Sequence, residues 1–513
     1  RRERMPLLKA AMPATISKSP VEIQPNPPQV STRRRFFWGL GGINEQLVGS
    51  SLNGLMDSIY VNAMALDPKI IGLARSLPRL LDLVVDPFLG HLSDNTRSRW
   101  GRRKPWMAVG ALLAAAVAIL MWYPPLHCAG WITTSFVVAM TILLLTIGYS
   151  MFMISYTAQG YELSTDYNER THIFQWRIYA FSAIGLLSPW ILALCLWLEG
   201  DAANVTRGAH GVHYVTCGVA AVILLAAAGP IFGCKERGQH AAEKKVKALD
   251  ALRYTLKNKA FWPLVAGNFF VRFGLAVTGS FFYYIMIYSM AGGQQRTGAI
   301  KQAIATNLVN VATFTGAYFV TRFADRVGKK NAVLTLMLLS SAAFVSFWFT
   351  FRPQHAPWVL GVAGFLHEVC RVPMIAAEMW PYLLSGIGVG LTNNSMPVIM
   401  NSMLADVCDV DELNCGQERQ AFYGAVFVSC DKMAWALAAL LGGILVAASG
   451  FNAKLAVQTP ETIHYWMKAL LYSQPVGFIF GFLCILAYPI TRAKALEVRR
   501  LIEARKIAQA PLL

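Results

Sequence analysis

Apolar runs of about twenty residues, broken by short polar or glycine- and proline-bearing stretches, organise this chain. A helix needs about 20 apolar residues to cross the hydrocarbon core of a bilayer. By that measure the first half predicts six spans, near residues 36–63, 68–94, 105–124, 132–163, 172–198 and 212–234. The second half predicts six more, near 260–291, 300–324, 331–351, 381–405, 420–449 and 465–490. The halves, 36–234 and 260–490, are separated by KERGQHAAEKKVKALDALRYTLKNK, a polar, basic and helix-permissive stretch expected to be a cytoplasmic linker over 235–259. Residues 1–35 are polar and proline-rich, with one apolar stretch too short and broken for a signal peptide; they read as a disordered cytoplasmic tail. Residues 491–513 read as a second, basic cytoplasmic tail. Residues 353–380 are apolar but carry His367, Glu368, Arg371 and Glu378. They are expected to form an external insert with an interfacial helix, the alternative being a pair of short extra segments.

Composition agrees with an all-α membrane protein. Charged residues make up 14% and apolar ones 55%, with mean hydropathy +0.43; soluble domains carry about 25% charged residues. The net charge of +18 does not point to nucleic acid, because no basic patch with interleaved aromatics occurs. The basic residues instead collect in alternate loops, at Arg33 to Arg35, Arg97 to Lys104, Arg170, the linker, Arg326 to Lys330 and the C-terminal tail. Few fall in the other loops, which places both termini in the cytoplasm by the positive-inside rule. The nine cysteines show no CxxC and no metal spacing, and read as small apolar residues.

Against this background three residues stand out. Arg79, Asp82 and Asp86 lie inside the apolar run RSLPRLLDLVVDPFLGHLSD. One ionisable residue at the centre of a membrane helix costs roughly 2.5–3.5 kcal/mol even on the mild insertion scale. Their i, i+3, i+7 spacing puts all three on one face, which must look into protein or water. Such a cluster marks an ion or substrate path. The halves also echo each other. GHLSDNTRSRWGRRK after the second predicted helix matches FADRVGKKN after the eighth, and ELSTDYNER after the fourth matches LADVCDVDELNCGQER after the tenth. Parallel repeats about an axis along the membrane normal describe the major facilitator fold, two pseudo-symmetric six-helix halves with the substrate between them.

RLLDLVVDPFLGHLSDNTRSRWGRRKPW resembles the signature block of the glycoside–pentoside–hexuronide:cation symporters. YELSTDYNERTHIFQWR, ADVCDVDE…GQERQAFYG and the lysine of FVSCDKMAWALAALLGG are similar to further blocks of that family. The resemblance spans about residues 36–506. It implies a twelve-helix symporter in the cell inner membrane, working by alternating access on a sugar or glycoside. It implies that Asp82 and Asp86 hold the coupling cation, that Ser150 stands where the family has a coordinating threonine, and that Arg79 and Lys432 compensate charge when the site is empty. Two carboxylates at i, i+4 repel if both are charged, so either one takes a proton or a small cation sits between them. A sodium-using member of the family has an asparagine just before the second carboxylate. Val85 stands there and offers no side-chain oxygen, which favours a proton over sodium. No cofactor or structural metal is expected.

The sugar site departs from the family. The acids and aromatic platform of a galactoside-carrying member fall at about Gln46, Met153 and Thr157, so galactoside specificity is not implied. The first helix offers Asn44, Glu45, Gln46, Asn53 and Asp57; the fourth offers Tyr149, Tyr156, Gln159 and Tyr161. Arg177 matches the family's helix-five arginine near the sugar path, or pairs with Asp166 or Glu169. Asn268, Arg272, Asn307, Asn310, Asn393, Asn394 and Trp435 are the second-half candidates, and a mid-helix arginine such as Arg272 demands a partner. Asp94, Arg97, Arg102, Arg103, Asp166, Arg170, Asp406, Asp409, Glu412 and Arg419 are expected to form a cytoplasmic gate of charge locks. The expected partners are a small-molecule substrate and the lipid bilayer, with the chain a monomer. The rival readings are a lysolipid carrier of the same fold, an intramembrane prenyltransferase using Asp82–Asp86 and Asp406–Asp409, and a non-transporting sensor, which would leave the acid pair idle.

Overall fold

The computed structural model describes residues 30–163, 167–200, 206–234, 258–350, 361, 364–368, 379–393, 395–415 and 420–509. Most of the tail before residue 30, the linker and the 353–380 insert therefore lie outside the described residues. Within them the chain runs through twelve helical rods and a terminal helix. The first half holds α1 (residues 32–63), α2 (Pro68–Asn95), α3 (Lys104–Leu120), α4 (residues 130–163), α5 (residues 167–198) and α6 (Gly211–Gly233). The second holds α7 (Phe261–Ser289), α8 (Gln295–Val327), α9 (Lys329–Thr350), α10 (residues 380–415), α11 (Gln420–Ala448) and α12 (Pro460–Leu486), and α13 (Arg492–Gln509) follows.

Seven of these, α4, α6, α7, α8, α9, α11 and α12, are long and apolar enough to cross a membrane. The halves of α5, bent by 42° at Ser188–Pro189, make an eighth as one broken span. The others fall short for identifiable reasons. α2 carries its ionisable cluster, α3 is short, α1 is interrupted, and α10 breaks after Thr392. The first helix starts at Thr32, four residues before the expected boundary, because Ser31 caps it by accepting the Arg34 amide.

Where the helices are irregular, functional candidates sit nearby. α1 widens into π-helical turns at Leu47–Ser51 and Asp57–Ala63, and α4 does so at Leu143–Tyr149; such turns are frequent at functional sites. Pro78 and Pro87 bracket Arg79, Asp82 and Asp86 within α2. Proline leaves the carbonyl one turn back without its helical donor and kinks the rod.

The halves meet along two seams. α2 runs antiparallel to α11, touching where Gly72 faces Ala439 and Gly443. A Cβ on Gly443 would lie 2.5 Å from the Pro68 carbonyl and 3.0 Å from the Gly72 Cα, so only glycine allows this approach. On the other seam α5 faces α8. There the Asn310 amide donates to the Gly185 carbonyl at 3.5 Å.

Candidate functional site

Among the described residues, ten acidic and basic side chains of the spanning helices meet near these seams. Glu45, Asp57, Asp82, Asp86 and Asp431 face Arg75, Arg79, Arg177, Arg272 and Lys432. The set balances in charge, as burial in an apolar medium demands. Its pairing is uneven.

Lys432 on α11 reaches across the seam to both helix-two acids. Its Nζ donates to Asp86 Oδ2 at 2.5 Å and to Asp82 Oδ2 at 3.2 Å. The register explains the meeting: Asp82 and Lys432 each lie about 15 Å along their helices from the Gly72–Gly443 contact. The Asp82 side chain is 2% exposed, while those of Asp86 and Lys432 are a quarter exposed. Each acid keeps a buried Oδ1 with no hydrogen bond. One ammonium thus serves two carboxylates, leaving oxygen valence for one further small cation.

Arg79, one turn from Asp82, directs its guanidinium to the Gly49 carbonyl at 3.4 Å, in the π-turn of α1, and its charge still acts on Asp82 through space. Ser150 is buried at 4%, with no hydrogen bond to either acid.

The remaining charges form separate pairs. Arg177 binds Glu45 in a fork, Nε to Oε2 at 2.8 Å and Nη2 to Oε1 at 2.9 Å; Asp166 and the side chain of Glu169, its other expected partners, lie outside the described residues. Arg272 pairs with Asp431 at 3.1 Å, and Asn268 donates to the same carboxylate at 3.3 Å. Asp431 was missed in the sequence, although its position inside FVSCDKMAWALAALLGG carries the same signal that singled out Asp82. Arg75 pairs with Asp57 at 2.5 Å and donates to the Asn53 carbonyl at 2.7 Å.

Glu45, Gln46 and Arg177 open onto a cavity of about 660 Å³ between α1, α5 and α8. Ser182, Asn310 and Thr313 add polar groups, and Phe174, Ile178, Phe181, Leu186 and Phe314 supply apolar walls. The size suits a small-molecule ligand. Gln46 also donates to Ser188 at 3.2 Å. Asn44, Asn53 and Asn307 each keep a buried amide oxygen without a hydrogen bond, where buried polar groups are normally paired. Other candidates do not line this cavity. Tyr156 is fully buried, stacked between Trp38 and Phe152, with the Arg177 guanidinium 5.7 Å from its ring centre. Gln159 donates to the Pro230 carbonyl at 3.4 Å. Tyr149 lies against Gly49. Asn393 is buried at the break in α10, and Trp435 is 41% exposed.

At the end of the bundle bearing the termini, Asp406 accepts from Lys329 at 2.6 and 2.7 Å within the second half. Arg97 is exposed and Arg103 buried, while Arg102, Asp409 and Glu412 are engaged in further contacts. Asp166, Asn394 and Arg419, and the side chains of Asp94 and Arg170, lie outside the described residues.

The far end is closed by a lock that the sequence did not reveal. Asn62, at the end of α1, donates to the Tyr283 hydroxyl and to Gln295 Oε1, both at 2.8 Å, and accepts from the Tyr288 hydroxyl. Arg207 bonds the Asn62 carbonyl at 3.0 Å and crosses to the Ala453 and Leu455 carbonyls of the second half. Its loop is held by Glu199, whose carboxylate accepts the amides of Gly208, His210 and Gly211 at 2.7–2.9 Å. Arg207 and Glu199 sit in a loop, where charge is expected, and the rest are amides, tyrosines and backbone groups, so the lock leaves no pattern in one sequence.

The family described as MFS/sugar transport protein matches residues 37–492. An uncharacterized symporter of Synechocystis is 24% identical, over 92% of this chain and 96% of its own. A lactose permease of Lactobacillus helveticus is 25% identical, over 79% of this chain and 60% of its own. Among solved structures, a bacterial homolog to the human lysosomal transporter Spinster, in an inward-facing and occupied conformation, superposes with a TM-score of 0.59 at 12% identity, over 91% of this chain and 96% of that one. The fold is that of the major facilitators, and the protein is a transporter rather than an enzyme, which removes the prenyltransferase reading. With its signature blocks, its two-half helical architecture and this match over most of its length, the chain belongs to the MFS/sugar transport family, the glycoside–pentoside–hexuronide:cation type of major facilitator.

Proposed function

We propose that this protein is a cation-coupled symporter of a sugar or glycoside, with both termini in the cytoplasm and a proton as the coupling ion. The observation that carries this reading is the Lys432 bridge to Asp82 and Asp86, because it places a single exchangeable positive charge on the seam between the halves. A cation arriving at the acids competes with the ammonium, weakens the bridge and loosens α11 from α2. Return of the ammonium restores it after release. Coupling follows because the seam can part only when the acids are neutralised in another way. Val85 offers no further oxygen, and Ser150 makes no bond to the pair, which supports a proton over sodium.

The substrate reading rests on the cavity beside Glu45 and Arg177 and on the unpaired amides of α1 and α8. A polyol offers hydroxyls to both kinds of group. The cavity's apolar walls favour a second reading, a lysolipid or other amphiphile on the same fold.

The test is reconstitution into proteoliposomes and a panel of mono-, di- and acidic sugars and lysolipids, read as substrate-induced proton or sodium flux. Sugar-driven proton flux that is lost in Asp86→Asn supports the reading. Flux driven by lysolipid alone, from folded protein, overturns the sugar assignment.

A further inference from the structure

Outside the transport path, on the second half, the surface between α7, α11 and α12 is cut by a trough of about 720 Å³. Its walls are apolar: Phe270, Phe273, Leu441, Leu445, Val476 and Phe480. Its floor is lowered because α7 and α12 cross at glycines. A Cβ on Gly477 would lie 2.6 Å from the Phe270 carbonyl, and one on Gly274 would lie 2.9 Å from the Ser473 carbonyl. From Tyr465 to Phe480 the trough follows α12 for about 22 Å, more than one leaflet's share of a hydrocarbon core about 30 Å thick.

One residue of this lining is out of place. Lys468 is exposed, and no hydrogen bond or ion pair engages it among the described residues. It lies eight residues into α12, about 12 Å below the far end of that helix. A lysine at that depth extends its stem along apolar surface and lifts its ammonium to the headgroup level. Tyr465 and Tyr472, three residues before it and four after, share its face and line the same trough.

We propose that this trough binds an anionic glycerophospholipid of the far leaflet, with one acyl chain laid against the glycine floor and the phosphate held by Lys468. Charge complementarity selects the headgroup, since a lone ammonium in an apolar wall finds its counter-ion only in the lipid. Tyr465, about one turn nearer the surface, donates its hydroxyl to the same phosphate, while Tyr472, about 18 Å deep, lies along the acyl chain. A charge pairing of this kind at the membrane surface gives a preference of about fivefold over a zwitterionic lipid.

The full-length protein is placed in nanodiscs of phosphatidylcholine, doped with a photoactivatable phosphatidylglycerol or, separately, a photoactivatable phosphatidylcholine. Crosslinked peptides are mapped by mass spectrometry. The expected result is phosphatidylglycerol labelling concentrated on residues 269–277, 437–445 and 465–480. It falls about fivefold in Lys468→Gln, while phosphatidylcholine labelling there is unchanged. Ala469→Trp, which fills the trough, abolishes both; Leu225→Trp, on the exposed surface of α6, changes neither. Thermal unfolding of each variant confirms that it is folded, and Lys468→Gln alone decides the headgroup claim. Labelling spread evenly over the lipid-facing surface, or equal for both headgroups and indifferent to Lys468→Gln, overturns the proposal.

Discussion

At the scale of single residues, the seam chemistry turns on how buried charges are shared. Arg272 and Asp431 make one closed pair, with Asn268 as a third member. Removing one partner of this half-buried pair leaves an uncompensated charge, at a cost of about 1–2 kcal/mol, below that of a fully buried pair. Arg272→Ala is therefore expected to lower thermal stability in detergent by about that amount, and Asp431→Asn added to it is expected to recover most of the loss. Lys432 differs, because one ammonium serves two acids. The prominence of Asp82 and Asp86 was legible in the sequence, since a carboxylate inside an apolar helix has to have a reason. Their partners were legible only in part. Lys432 came from a family resemblance, whereas Arg79, equally conspicuous and on the same helix face, bonds a carbonyl that a π-turn in α1 exposes. Backbone irregularity of that kind has no signature in residue type, so the partner of Arg79 was hidden.

At the scale of elements, the rods were legible because apolar length is written directly into composition. The expected spans near 68–94, 212–234 and 420–449 fall within a residue or two of α2, α6 and α11. What composition does not encode is the distance between rods. The α2–α11 seam exists at its present spacing because Gly72 and Gly443 carry no side chains. Gly443→Val should push the helices apart where the Pro68 carbonyl now sits, at a cost of about 1–3 kcal/mol for overpacking. In a cysteine-free background, a cysteine at Ser280, which lies beside this contact, is then expected to react several-fold faster with a membrane-impermeant maleimide added from the far side. An unchanged rate would mean that the glycine contact does not hold that side closed. The break in α10 after Thr392 and the bend of α5 at Pro189 were likewise missed as interruptions, because each flank is apolar enough to read as one run.

At the scale of the whole molecule, the two halves are joined by a hydrogen-bonded lock at the far end and a charged bridge at the middle. The lock depends on Asn62, which contacts Tyr283, Tyr288 and Gln295 of the second half, and on Arg207, which reaches two carbonyls there. Asn62→Ala removes three hydrogen bonds between the halves, at about 0.5–1.5 kcal/mol each. The population should shift toward a far-side-open form, and maleimide labelling at the Ser280 position should again rise from that side. Glu199→Gln should have a smaller effect in the same direction, since it loosens the loop that presents Arg207 without removing the contact. The central claim is that Asp82, Asp86 and Lys432 tie the opening of the seam to occupation by a cation. Its most direct test compares two modes of transport in proteoliposomes, uphill accumulation driven by an imposed proton or sodium gradient and exchange of substrate at equal concentrations on both sides. Asp86→Asn is expected to abolish gradient-driven accumulation while exchange continues, because the neutral amide mimics an acid already loaded. Accumulation that survives in Asp86→Asn and in Asp82→Asn, with the gradient still coupled to substrate, would contradict the account.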